Sequence, residues 1–272
     1  MMRTGAFDTH SHLQDAKLVG QFEEVISRAE AAGLEGIALC GYDAPSNELA
    51  LELSARSRLL HPTVGFHPHE ADSVTPAMLR DLESQAARSE VVAIGEIGLD
   101  FYRNLATASN QRTLLDSQLE IALRLHKPVC VHTRSAEDAS FGHLGPFARA
   151  MAKVTSAPPG VMHCFGGTVE QAAPYVAAGY LVSIACPITY PRNEAVLRLA
   201  RELPLDVLVI ETDSPYLPPQ DRRGQLNEPA NVIAAAQAIA AARGESLDRV
   251  LTATTATARR LFRIPVPAGV AG

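Results

Sequence analysis

Eight short apolar runs of strand character, each followed by a longer amphipathic run, constrain this chain more than any other feature of its sequence. The strand candidates are Gly5 to His10, Gly36 to Gly41, Pro62 to Phe66, Val91 to Ile97, Pro128 to His132, Gly160 to His163, Leu181 to Cys186 and Asp206 to Glu211. Between them, runs such as Gln21 to Ala32, Ser46 to Ser57, Thr75 to Arg88, Ser109 to Leu125 and Asn193 to Leu203 repeat apolar residues at three and four positions, the period of a helix laid on a sheet. Mostly continuous apolar strands, spaced at roughly 30 residues, read as parallel βα units with both sheet faces covered. The expected fold is a closed (β/α)8 TIM barrel. A doubly wound open sheet is the rival, but no GxGxxG follows the first strand, and polar motifs finish many strands rather than flanking one crevice.

A length of 272 residues suits one such barrel of roughly 250 residues. Residues 1–264 form the expected single domain and residues 265–272 a short C-terminal tail. A Pro-rich loop, Ser214 to Pro229, follows the eighth strand, with further helices at Ala230 to Arg243 and Ser246 to Phe262. Apolar residues at 47% and charged residues at 20% exclude disorder and coiled coil. No apolar stretch approaches the roughly 20 residues of a bilayer span, and MMRTGAFDTH has no signal-like core. The expectation is a soluble, cytoplasmic monomer without membrane association, and no stable protein partner is predictable from the sequence. Cys40, Cys130, Cys164 and Cys186 lie far apart with no CxxC pair, as expected for free thiols. The net charge of −6 argues against a broad basic surface, so an anionic substrate must be attracted locally.

The chemistry collects at the strand ends. His10 and His12 are two residues apart and project on one side of extended backbone, so both imidazoles can reach one cation. The fourth strand ends in GEIGLD with Glu96, the following loop holding Asp100; the fifth ends in His132, the sixth in His163, and the eighth in Glu211-Thr-Asp213. In this barrel all carboxyl ends meet at one mouth, so His10, His12, Glu96, His132, His163 and Asp213 converge there. Four imidazoles and two carboxylates suit two divalent cations, with Glu96 able to bridge. His67 and His69, after the third strand, suit substrate hydrogen bonds, and the planar guanidinium of Arg134 suits phosphate. Cys164 reads as packing. A serine nucleophile at Ser214 lacks a Gly-x-Ser-x-Gly elbow.

With those residues placed, the chain resembles the TatD family of metal-dependent hydrolases, in the amidohydrolase-like superfamily. The shared motifs run nearly end to end: DTHSHL at 8–13, GFHPH at 65–69, GEIGLDFY at 95–102, PVCVHTR at 128–134, HCFGG at 163–167, ETDSPYL at 211–217 and NEPANV at 227–232. The resemblance implies a metal-dependent DNase, with DNA as substrate and 3′-5′ exonuclease-like digestion. It implies one ion held by His10, His12, Glu96 and Asp213, a second held by Glu96, His132 and His163, and an active-site shell completed by His67 and Glu211. Mg, Mn and Zn all occur in such proteins.

Two divalent ions outweigh the charge of Glu96 and Asp213, leaving a local anion trap in an acidic protein. A water held between them loses its proton readily, since one bound Zn²⁺ brings water to a pKa of about 7. In the expected reaction this hydroxide attacks the phosphodiester phosphorus, Asp213 orients the water and takes its proton, and Arg134 and His67 hold phosphate oxygens. Tyr102 and Tyr216, with Phe101 and Tyr190, stand in the loops after strands four, seven and eight as platforms on which bases stack. Arg192, Arg222 and Arg223 are candidates for flanking phosphates. The alternatives are a hydrolase of a small ester, lactone or amide, which shares the barrel and metal chemistry, and a noncatalytic adaptor with structural metals.

Overall fold

The computed structural model describes residues 5–265, so all but the first residue of the expected tail lies outside the described residues. Eight parallel strands pair in sequence order: β1 (Ala6–Ser11), β2 (Leu34–Cys40), β3 (Leu60–Val64), β4 (Ala93–Asp100), β5 (Val129–Arg134), β6 (Gly160–Met162), β7 (Leu181–Ala185) and β8 (Leu208–Glu211). The seam between β8 and β1 closes just past the end of β8. There Asp213 N–H donates to His10 O at 2.9 Å and His12 N–H to Ser214 O at 2.7 Å, while the Thr9 hydroxyl of β1 donates to Ile210 O, within β8, at 3.0 Å. The result is the expected (β/α)8 barrel.

Outside it lie α1 (Phe22–Ala31), α2 (Ala44–Ser54), α3 (Pro76–Ala86), α4 (Ala108–Arg124), α5 (Glu137–Met151), α6 (Val169–Ala177), α7 (Glu194–Glu202), α8 (Val232–Arg243) and α9 (Leu247–Phe262). Their starts follow local chemistry: Asp43 with Ser46, and Thr168 with Gln171, form reciprocal capping boxes, and Ser246 caps α9. α8 stops at Gly244, whose φ of 66° is the left-handed turn glycine makes freely. α5 and α6 escape the apolar periodicity because Pro146 and Pro174 interrupt them; burial of Leu144, Phe147, Met151 and Tyr175 holds both as helices. No described helix is long and apolar enough to cross a membrane.

Two strands run two or more residues past their expected ends. β4 runs to Asp100, so Glu96 lies in mid-strand and Asp100 at the strand's end rather than in the loop; β5 runs to Arg134. The glycines of GEIGLD suggest a strand ending, but here they allow close pairing. Gly98 sits opposite His132, and a Cβ there would lie 1.8 Å from the His132 carbonyl oxygen.

Inward positions alternate with outward ones along each strand. Phe7, Ala38, Cys130, Val161 and Val209 form an apolar layer inside the barrel, whereas Val129, Val131, Met162 and Ile210 join the core beneath the helices. Two residues further along β5, β6 and β8, the inward places are taken by His132, His163 and Glu211. All four cysteines are free, Cys40, Cys130 and Cys186 being buried.

Candidate metal centre

His10, His12, Glu96, His132, His163 and Asp213 come together at the mouth, with Glu96 at their geometric middle. Its two carboxylate oxygens face different partners. Oε2 lies 3.4 Å from His10 Nε2 and 3.5 Å from His12 Nε2, and His12 Nε2 is 3.6 Å from Asp213 Oδ1. Oε1 lies 3.0 Å from His132 Nδ1, 3.6 Å from His67 Nε2 and 3.7 Å from His163 Nε2. One carboxylate thus separates two clusters of imidazole nitrogens, and three groups (His10, His12, Glu96; His67, Glu96, His132; His10, His163, Glu211) are spaced to hold an ion.

The backbone aims these side chains through tight turns at strand ends. Ser135, Cys164 and Asp213 adopt left-handed φ angles of 54°, 43° and 57° just after β5, β6 and β8. Non-glycine residues in that region gather at functional sites, where surrounding structure offsets the strain. At Asp213 the turn brings the N–H to His10 O and the carboxylate to His12.

Outer partners fix the orientations of the rings. The Cys40 carbonyl accepts from His12 Nδ1–H at 2.8 Å, leaving Nε2 with its lone pair toward Glu96. Asp100, 1% exposed, accepts at Oδ2 from His69 Nε2 at 2.9 Å and from His132 Nε2 at 3.3 Å. Asp8 ties the seam behind the site by accepting from Thr212 N–H and O–H at 2.9 and 2.6 Å.

Deeper still, polar groups lack partners. His163 Nδ1 and Glu211 Oε1 are 2.8 Å apart but misaligned for a hydrogen bond, and His10 Nδ1, His163 Nδ1 and both Glu211 oxygens are buried without one. Orphaned buried acceptors and ring nitrogens cost about 1–3 kcal/mol each. Their clustering around imidazole and carboxylate donors fits a site built for divalent cations of the Mg, Mn or Zn type.

Charge is distributed to match. Burial alone would lift the Glu96 carboxyl, but the rings beside it, His10 and His132 among them, hold it well below the usual carboxylate range. Asp213 is likewise held low against its burial by His12, His163 and His10. Burial opposes protonation of His132, yet Asp100 and Glu96 push it up to about 9. His67 is driven down to about 3 by burial, so its ring is neutral. Its Nδ1 accepts from His69 N–H, which leaves an Nε2–H donor facing the mouth.

The cleft above this centre has a volume of about 400 Å³ and is lined by His12, Glu96, His132, His163, Asp213 and His67, with Tyr42, His69, Arg103, Leu105 and Tyr216 around them. Arg134 and Tyr102 are not among the lining residues; the Arg134 guanidinium lies over the Tyr102 ring, 4.1 Å from its centroid. His69 is engaged by Asp100. Tyr42, Arg103 and Leu105 escaped the sequence reading, although each stands a few residues past a strand's carboxyl end, the position that already marked His12 and Asp213.

A family model described as TatD related DNase matches residues 7–263. The 3′-5′ ssDNA/RNA exonuclease TatD of Erwinia billingiae is 35% identical over 265 residues, covering 95% of this chain and 99% of that protein. A protein named uncharacterized metal-dependent hydrolase YabD, from Bacillus subtilis, is 33% identical over 258 residues, covering 95% and 99%. Among solved structures, YjjV, a TatD homologue from Escherichia coli K12, aligns with a TM-score of 0.89 at 30% identity over 97% of this chain and 100% of that one. With the family match spanning the barrel and the imidazole–carboxylate centre, this chain belongs to the TatD family of metal-dependent hydrolases.

Proposed function

We propose that this hydrolase is a divalent-metal-dependent nuclease that removes nucleotides from the 3′ end of single-stranded DNA or RNA. The observation that carries the reading is the division of Glu96 between two imidazole clusters, 3.4–3.5 Å on one side and 3.0–3.7 Å on the other. Relatives about one-third identical over nearly their whole length, named 3′-5′ ssDNA/RNA exonucleases, support the substrate class. In this reading His10, His12, Glu96 and Asp213 hold one ion, and Glu96, His132 and His163 hold the other. Bound divalent ions supply Lewis acidity to a phosphoryl oxygen and lower the pKa of the attacking water.

The chain's own groups do the rest. Asp213, kept ionised among His12, His163 and His10, orients the water and accepts its proton. His67 offers its neutral Nε2–H to a non-bridging phosphate oxygen. Glu211, buried 2.8 Å from His163 Nδ1, completes the shell behind that ring. The test is degradation of end-labelled single-stranded DNA by metal-stripped protein with Mg²⁺, Mn²⁺ or Zn²⁺ restored, beside His132→Ala. Metal-dependent shortening of the 5′-labelled strand one nucleotide at a time, lost in the variant, is the expected result. No cleavage with any ion, despite stoichiometric metal binding, would move the assignment to a small-molecule ester or amide substrate.

A further inference from the structure

Around the metal centre the mouth repeats a device that the hydrolytic chemistry does not use: a cation laid on a tyrosine ring. Arg134 covers Tyr102 at 4.1 Å, and Lys17 covers Tyr216 at 4.4 Å. Both tyrosines are nonetheless exposed, Tyr102 by 63% and Tyr216 by 43%, so rings backed by a cation still present aromatic surface to solvent. Among the described residues, neither Lys17 nor Arg134 nor the neighbouring cleft residue Arg103 forms an ion pair, in contrast to Arg28, Arg56, Arg124 and Arg198 on the outer wall. The mouth cations keep their charge available.

The two pairs rise from opposite sides of the barrel. Tyr102 and Arg103 follow β4, whereas Tyr216 follows β8 and Lys17 follows β1; in an eight-stranded barrel β4 and β8 are diametrically placed. Both platforms are pinned. Asp100 accepts at Oδ1 from Tyr102 N–H and Arg103 N–H at 2.9 and 2.8 Å, and Asp72 accepts from Thr107 N–H and O–H at the far end of the same loop. The Tyr216 hydroxyl donates to Asp15 at 2.7 Å, and Asp15 also accepts from Lys17 N–H at 2.8 Å. A ring fixed by its hydroxyl, as Tyr216 is, loses little freedom when a ligand stacks on it, and an anchored loop limits the search for Tyr102.

Alternating aromatic faces and unpaired cations match the alternating bases and phosphates of a single strand. We infer that Tyr102 with Arg134 and Arg103, and Tyr216 with Lys17, form two nucleotide subsites that hold the residues on either side of the bond to be cut. The inference rests on the nuclease reading and deepens it, giving Arg134 the work of backing a stacking platform.

The test uses oligothymidylates in which one of the two nucleotides at the cut end lacks its base. Removing either base is expected to lower wild-type kcat/KM by about 10-fold, the order of one aromatic stack. Tyr102→Ala should abolish the sensitivity at one position and Tyr216→Leu at the other, while Tyr216→Phe, which keeps the ring, retains it. Arg103→Gln and Lys17→Gln should each reduce the slope of log kcat/KM against log salt by about 0.7. A wild-type enzyme indifferent to both missing bases, or full base dependence surviving in both Tyr102→Ala and Tyr216→Leu, would overturn the subsites. A wild-type protein that hydrolyses bis(p-nitrophenyl) phosphate but cuts no oligonucleotide would instead overturn the nuclease reading, and the subsites with it.

Discussion

The two ends of the barrel are made from the same eight strands and obey opposite rules. At the amino end the interior is apolar: Phe7 stacks on His61 at 5.5 Å and meets Phe262 of α9 at 5.7 Å, with Leu261, Ala258, Val161 and Val209 filling the remainder. At the carboxyl end, one turn of the pleat higher, the interior holds four buried or nearly buried imidazoles, two ionised carboxylates and polar atoms with no partner. Packing at the lower end offsets the cost of assembling the upper one. Moving two residues along a strand, from Cys130 to His132 or from Val209 to Glu211, crosses from stability to chemistry.

Substitution at each level should separate the two. Phe7→Ala removes a side chain 1% exposed and leaves a cavity under α9, with an expected cost of about 3–5 kcal/mol in urea unfolding. At a temperature where that variant is folded, its kcat should stay within a factor of two of wild type. Glu96→Gln should do the reverse, reducing activity by at least about 100-fold with loss of bound metal by elemental analysis. It should also abolish the metal-induced stabilisation, which at 100 times the Kd amounts to about 2.7 kcal/mol per ion in the wild type. A Phe7→Ala enzyme that is stable but inactive would join the two ends into one functional unit and break the comparison.

Acid sharpens it at the lower end. His61, beside Phe7 and near Arg259, is held down to about 4 from its ordinary value of 6.5, burial being the larger cause and Arg259 the smaller. The unfolded chain therefore takes up this proton before the folded one does. The stabilisation from His61 is complete above about pH 6.5 and is lost as pH falls toward 4, a change of about 3 kcal/mol. Urea midpoints of wild type and His61→Gln, compared from pH 7 to pH 4, should converge on the acid side. A gap that is constant with pH would place His61 in contact with solvent in the folded state.

The same division explains what the sequence makes legible. The barrel is readable because eight apolar strands at a steady spacing admit few folds, and the candidate ligands are readable because strand ends share one mouth. Glu96, His132 and His163 need nothing beyond those two facts. The extent of β4 does not follow from them: Gly95 and Gly98 resemble a strand ending, and only the close approach of Cys130 to the first and of the His132 backbone to the second reveals why glycine stands there. Tyr42, Arg103 and Leu105 are hidden for a different reason, since a loop residue's entry into the cleft depends on how its loop is anchored. For Arg103 that anchor is Asp100, whose backbone-capping role has no periodic signature.

Asp100 is also where the smallest of these effects is expected, and it joins the metal centre to the loop above it. One of its oxygens holds His132 and His69, and the other caps the turn at Tyr102 and Arg103. Burial would raise this carboxyl, but His132, the Arg103 N–H and His69 keep it ionised at neutral pH. Asp100→Asn retains a group of the same size and removes the charge. Metal affinity, measured by competition with a chromogenic chelator, should fall by about 10- to 100-fold, as for other groups that orient a ligand from behind. Because the amide oxygen can still cap the turn, KM for an oligonucleotide at saturating metal should change by less than about threefold. A KM increase of 10-fold or more with unchanged metal affinity would mean that the carboxylate serves the loop and that His132 is positioned by Glu96 alone.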